Sequence, residues 1–282
     1  MLQTNNLKAE KGLFIDGRFT KILPRVEKEI PGWLKNFKKW NKVVSFGLNE
    51  FSFPYRDQQN VVIEEALKIS WKTLLDDGAG EGRVIFELLS KDKEKRIIAL
   101  DPDKEILKRG AQRTKIFSSS ITFLLSSSFI PLPLEKNSLD LIISNLGGIT
   151  YGSLYFEDEK LFLKKEALKK ILKERKRVLK EGGHLIIGSL LPQPDFLRIK
   201  KETITYLFKT LNFRGLFYIL KNRKEMMEAS SFMTKYAEEG WAFYLFPQEW
   251  KEILLKEGFI VKKIRIGHYS EQGVVILAQK PS

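Results

Sequence analysis

From Thr73 to Leu191, short continuous apolar runs alternate with helix-patterned stretches. That alternation constrains the fold more than any other feature of the chain. "TLLD" (73–76), "RIIALD" (96–101), "ITFLLS" (121–126), "LDLIISN" (139–145) and "HLIIGSLL" (184–191) read as five strands. Between them, "GRVIFELLSK", "PDKEILKRGAQRT" and "EKLFLKKEALKKILKERKRVLK" (159–180) read as helices, the second opened by Pro102 at a first-turn position. Leu161, Leu168, Leu172 and Leu179 share one face of the third helix, and Gly182 and Gly183 are expected to stop it. Runs apolar at every position, rather than at every second one, belong to strands buried on both faces. The pattern therefore predicts a parallel sheet covered by helices on two sides. The rhythm breaks after Pro192 and Pro194. It resumes with a helix, "PQEWKEILLKEGF", and two strands, "VKKIRIGHY" and "GVVILAQKP".

The first strand runs into "DDGAGEG", with Gly78, Gly80 and Gly82 at alternate positions. Such a turn serves a close approach of backbone to a ligand. The ending Gly-Lys-Ser/Thr of a phosphate-binding loop is absent. The G-x-G-x-x-G fingerprint of dinucleotide sites fails in both registers, which place Arg83 or Ile85 where the third glycine belongs. Asp76 just before the turn would repel a pyrophosphate and suits a ligand carrying positive charge. Asp101 ends the second strand, 21 residues after Gly80, where a carboxylate can accept hydrogen bonds from two vicinal ribose hydroxyls. Together these features predict a nucleoside with a cationic or zwitterionic tail.

Composition narrows the chemistry further. The absence of cysteine excludes disulfides, thiolate nucleophiles, Cys-ligated zinc and iron–sulfur clusters, and His184 and His268 are too few for a multi-histidine metal site, so no metal is expected. No apolar run reaches the roughly 18–20 residues needed to span a bilayer, and the N-terminus lacks a secretory pattern, so the cytosol is the expected compartment. The net charge of +14, from 49 basic and 35 acidic residues, points to an anionic partner, nucleic acid or a membrane surface, or to a lysine-rich proteome.

Six segments, in order, resemble the class I S-adenosylmethionine-dependent methyltransferases, especially the group acting on small molecules and quinones. They are "LLDDGAGEGR", "IIALDPD", "ITFLLSSSFIPLPLEKNSLDLIISN", within it "PLEKNSLDLIIS", then "RVLKEGGHLIIGS" and "LLKEGFIVKKIRIG", covering about 70–191 and 247–280. The resemblance implies a Rossmann-like, doubly wound α/β sheet of seven strands, mostly parallel with the last antiparallel, and S-adenosylmethionine as cofactor. It implies that Gly78, Ala79 and Gly80, with Gly82 closing the turn, meet the methionine part, and that Asp76 orders the loop. Asp101 holds the ribose hydroxyls, with Pro102 and Asp103 beside the adenine, and Ser128 and Phe129 lie at the adenine edge. Asn145 lies near the sulfonium. The family's third motif usually carries an Asp; here the register gives Ser127 or Ser128, whose oxygen accepts without charge.

Four segments are expected: a helical lead-in at 1–60, a cofactor-binding core at 61–194, a helical cap at 195–246 and closing core strands at 247–282. In the lead-in, Trp33, Phe37 and Trp40 share a helical face. The cap carries Phe196, Tyr206, Phe208, Phe213, Phe217, Tyr218, Phe232, Tyr236, Trp241 and Phe243. Such a cap suggests an apolar or ring-bearing methyl acceptor, a small molecule or a lipid-like one such as a quinone. Tyr151, six residues past Asn145, is the candidate catalytic side chain, whereas His184 is expected at the far edge of the sheet. RNA as the acceptor, peripheral contact with a membrane, and a non-catalytic cofactor-binding scaffold remain alternatives.

Overall fold

A computed structural model of the chain describes residues 13–15, 43, 47, 50–125, 131–151, 165–238 and 242–282. The strands are β1 (Leu13–Ile15), β2 (Thr73–Asp77), β3 (Arg96–Asp101), β4 (Ile121–Leu125), β5 (Leu139–Asn145), β6 (Leu179–Leu190), β7 (Ile260–Gly267) and β8 (Gly273–Gln279). The main helices are α1 (Phe53–Leu67), α2 (Arg83–Lys91), α3 (Lys104–Arg113), α4 (Lys165–Val178), α5 (Phe196–Lys209), α6 (Phe213–Lys221), α7 (Arg223–Glu238) and α8 (Pro247–Lys256).

One sheet runs β1-β4-β3-β2-β5-β6-β8-β7. β4, β3, β2, β5 and β6 are parallel, and β8 is antiparallel to both β6 and β7. This is the expected seven-stranded, doubly wound sheet, with one addition. The three residues of β1 lie antiparallel to β4, a strand in a lead-in expected to be helical. Three residues carry too little periodicity to be read as a strand before a partner is known. The Trp33–Phe37–Trp40 stripe and Leu161 lie outside the described residues.

The continuous apolar runs have the expected cause. In β5, Leu141 and Ile143 pack on one side with Val62, Ala66, Ile85 and Leu107 of α1, α2 and α3. Ile142 packs on the other with Leu168, Leu172, Trp250 and Leu254 of α4 and α8. A strand covered on both faces has no solvent side on which to place polar residues. α1 begins at Phe53, where Ser52 caps it and Pro54 sits in its first turn. One boundary differs from expectation. α4 ends at Val178, because Leu179 already pairs with Leu139; Gly182 and Gly183 lie at an irregularity within β6 instead of stopping the helix.

The end of β2 is fastened from both sides of the chain. Arg175 of α4 donates from Nε and Nη2 to Asp77 Oδ2 at 2.9 and 2.6 Å, and both side chains are fully buried. The Asp77 carbonyl accepts from Gly148 N at 3.0 Å. A Cβ on Gly147 would lie 2.2 Å from that carbonyl oxygen, and one on Gly78 would lie 2.4 Å from Gly147 Cα. Both glycines are therefore required by the crossing of the two loops.

Removing one member of a buried ion pair leaves the other charge without compensation. Arg175→Met is expected to cost about 3–5 kcal/mol, read as a lower urea midpoint. Gly147→Ala should destabilise more than Gly80→Ala, because the first creates a backbone collision and the second faces open space. Equal losses for the two alanine variants would contradict the crossing as described.

Candidate functional site

The loop after β2 turns on three glycines with positive φ, at 92° for Gly78, 54° for Gly80 and 70° for Gly82. They do not share one reason for being glycine. Gly78 packs on Gly147. Gly82 precedes α2, and a Cβ there would press on Thr114 Cγ2 at 3.3 Å and Gly110 Cα at 3.4 Å. At Gly80 a Cβ would have nothing nearer than the Gly78 carbonyl oxygen, 4.0 Å away. Open space beside a left-handed backbone makes Gly80 the position of the three with room for a ligand to approach. Gly110 of α3, which sequence reasoning passed over, leaves room for the Gly80 carbonyl; a Cβ there would lie 3.1 Å from it. Ala79 is buried against the core of the sheet.

Asp101 shapes this loop directly. Its Oδ2 accepts from Gly80 N at 3.0 Å and its Oδ1 from Asp103 N at 2.9 Å. Each carboxylate oxygen keeps a further lone pair for a ligand hydroxyl. Burial pushes the Asp101 pKa up to about 7, against the opposing pull of the Asp103 and Gly80 amides. Asp76 is buried too, and its Oδ2 has no partner among the described residues. Burial, then the charges of Asp77 and Asp101, push its pKa up to about 8. Two carboxylates held against ionisation beside a turn with open space are matched to a ligand that brings positive charge and hydroxyls. Pro102 is half-buried beside them. The Asp103 carboxylate is engaged in capping α3, accepting from Glu105 N and Ile106 N at 2.9 and 3.2 Å. Ser127, Ser128 and Phe129 lie outside the described residues.

Asn145, at the end of β5, is buried, and its Oδ1 accepts from Gln58 Nε2 of α1 at 2.9 Å. Its Nδ2 and the Gln58 Oε1 are buried without partners among the described residues. A Cβ on Gly188 would lie 2.0 Å from Asn145 Oδ1, and one on Gly273 would lie 2.2 Å from Gln58 Oε1. Both glycines clear space for this amide pair. The glycine inside the apolar run of β6 was the available signal, since glycine within a strand often marks a close approach.

Beyond the amides stands a tyrosine group. The half-buried Tyr151 meets Tyr244 hydroxyl to hydroxyl at 2.8 Å, and the Tyr55 and Tyr269 rings pack edge to face with centroids 6.0 Å apart. Burial pushes the Tyr151 phenol up to about 12, so at neutral pH it is a hydrogen-bond donor rather than a base. Burial, and after it the neighbouring Tyr151, also raise the Tyr55 phenol. Tyr55 and Tyr244 were not singled out from sequence. With Tyr269 they come from α1, the stretch before α8 and the β7–β8 connection, so no local pattern links them. His268 pairs with Asp57 at 3.2 Å. His184 opens the parallel part of β6, at the edge away from the glycine loop, and burial lowers its pKa. Among the described residues no cluster of three or more metal-ligating side chains occurs.

The fold and this loop define the class I S-adenosylmethionine-dependent methyltransferases, whose cofactor is S-adenosylmethionine. Residues 70–258 match the family described as Methyltransferase domain, and the chain belongs to that family. It is 27% identical over 170 residues, 60% of this chain, to a demethylmenaquinone methyltransferase of Thermotoga maritima, and spans 63% of that protein's length. It is 35% identical over 100 residues to the ribosomal RNA small subunit methyltransferase H of Thermosipho melanesiensis, covering 33% of each chain. In fold it is similar to the 1,6-didemethyltoxoflavin-N1-methyltransferase of Burkholderia thailandensis, solved with 1,6-didemethyltoxoflavin and S-adenosylhomocysteine. That likeness has a TM-score of 0.57 at 12% identity and covers 94% of this chain and 93% of the other.

The two raised carboxylates give signed pH effects. Between the ordinary carboxylate value of 3.8 and about 8, the folded protein holds protons at Asp76 and Asp101 that the unfolded chain has released. Their contribution to stability without ligand is therefore complete at low pH and falls as pH rises through that window. Asp76→Asn should flatten the decline in melting temperature measured from pH 5 to 8. Ionisation favours a cationic ligand, so calorimetric affinity for S-adenosylmethionine should rise about tenfold from pH 6.0 to 7.5, with proton release. An affinity that is flat or falls over this range would contradict the assignment.

Proposed function

We propose that this chain transfers a methyl group from S-adenosylmethionine to a small, ring-bearing, apolar acceptor. The observation that carries this reading is the tyrosine group of Tyr55, Tyr151, Tyr244 and Tyr269. Tyr151 N donates to the carbonyl of Gly147, which packs on Gly78, and the group continues into the buried apolar cluster of Leu190, Ile199 and Ala242. Apolar walls with a few hydroxyls suit a flat acceptor that is oriented by one or two hydrogen bonds. The Thermotoga maritima relative's acceptor, a demethylated menaquinone, has this chemistry and is the first compound to test.

Residue roles follow from the geometry. Gly80 lets the cofactor approach the backbone, Asp101 accepts from its ribose hydroxyls, and Asp76 faces its positively charged end. Asn145, whose Nδ2 has no partner among the described residues, is available to a ligand at the end of β5. When bound, the cofactor supplies an electrophilic methyl group on a sulfonium, displaced in line by the acceptor. The protein's task is then orientation and exclusion of water, which in well-aligned reactions supplies much of the rate. Tyr151 orients the acceptor by donating its hydroxyl proton in a hydrogen bond.

Radiolabelled methyl transfer to a short-chain demethylmenaquinone analogue tests the reading. Tyr151→Phe should lower kcat/KM by about tenfold without removing any limb of the pH–rate profile, since its phenol stays protonated. Loss of a limb would make Tyr151 a base. A second reading is RNA methylation, favoured by the match to the ribosomal RNA methyltransferase and by the net charge of +14. Transfer to small-subunit ribosomal RNA, with none to the quinone analogue, would establish it in place of the first.

A further inference from the structure

α6 is apolar on two sides. Gly215 and Ile219 face inward against Phe51 and Leu207. Phe213, Phe217 and Leu220, spaced i, i+4 and i+7, form a second face that is 68%, 68% and 66% exposed. The turn before α6 continues that face with Phe208, 62% exposed, and Leu211, 71% exposed. Leu211 takes φ 51°, a left-handed conformation that usually falls to Gly or Asn, so strained backbone presents a leucine to solvent. Cap helices ordinarily place charge on their outer side. Exposed aromatics in a contiguous patch mark a surface that is covered in use.

The charge around the patch selects what covers it. From Thr203 to Lys224 there is no Asp or Glu, while Lys209, Arg214, Lys221, Arg223 and Lys224 are all exposed. A second copy docking through this face would set five cations against five. A nucleic acid would meet the cations and leave three phenylalanines and two leucines in water. An anionic bilayer offers phosphates at the surface and an apolar layer a few ångströms below, which matches both parts.

We propose that the outer face of α6 and the turn before it form a membrane-docking surface that seats the protein on anionic lipid. Phe213, Phe217, Leu220 and Leu211 enter the headgroup–acyl boundary, and the five basic side chains stay at the phosphates. The interaction is peripheral; no described helix is long and apolar enough to cross a membrane. The proposal does not rest on the identity of the acceptor, and it would bring the mouth of the cap to the phase in which apolar rings accumulate.

Vesicle flotation of the full chain tests it, with no acceptor present. The protein should float with phosphatidylglycerol/phosphatidylcholine vesicles at low salt. Binding should weaken at least about tenfold on pure phosphatidylcholine and again when salt is raised to about 500 mM. The triple variant Phe213→Ser/Phe217→Ser/Leu220→Ser should lose binding at least about tenfold, as should Arg214→Glu/Lys221→Glu. Both replace exposed side chains, so melting temperature should stay within about 5 °C of the parent and S-adenosylhomocysteine affinity within about twofold. Independently of any loss, the indole emission of F217W should shift to the blue when anionic vesicles are added. The proposal is overturned if the parent protein stays unbound at low salt, if the triple variant floats equally well, or if the F217W emission does not move. It is also overturned if the face instead supports a concentration-dependent dimer that the triple variant abolishes.

Discussion

The buried pair of Asp77 and Arg175 is the constraint on which the site depends. Asp77 is the last residue of β2, and the glycine loop starts at the next position. With both charges fully buried, neither side chain can move without exposing the other to an apolar surrounding. α4 thereby fixes where β2 ends, and the Asp77 carbonyl fixes Gly148 and the loop after β5. The glycines at 78 and 147 let these two loops touch. The position of the glycine turn is thus set from behind, by fully buried groups.

In front of that anchor the electrostatics run the other way. Asp76 and Asp101 are kept by burial from ionising freely, and Asp76 has an oxygen with no partner among the described residues. In a resting protein this arrangement costs stability at neutral pH. It is sensible where a cation completes the site, since the penalty is then relieved by binding. Backbone strain gathers between β7 and β8, where Tyr269, Ser270 and Glu271 all take positive φ. That turn holds Tyr269 against Tyr55, joining the edge of the sheet to the first helix.

The cap divides its aromatic residues between two purposes. Tyr206 and Tyr218 turn toward α1 and the chain leading into it, Tyr206 stacking on Phe53 at 4.9 Å and Tyr218 meeting Phe51 at 5.2 Å. Phe208, Phe213 and Phe217 turn away from the body of the protein. Composition suggested an apolar acceptor for the segment as a whole; the helix faces separate the aromatics that pack inward from those that meet the surroundings.

Local sequence determined the sheet, its parallel order and the glycine turn. Apolar runs of period one and helix-patterned intervals depend on near neighbours, and a parallel strand requires a crossover helix wherever it occurs. Asp76, Gly80 and Asp101 were legible for the same reason: each sits at a strand end whose partner is known once the strand order is known. Tertiary structure alone decided the rest. Gln58 meets Asn145 across 87 residues, Tyr151 meets Tyr244 across 93, and Arg175 reaches Asp77 across 98. Gly78 packs on Gly147 where two loops cross, a contact across 69 residues. Contacts of this kind arise where elements distant in the chain are brought to one end of a sheet, and no periodicity within a segment encodes the residue that will stand opposite.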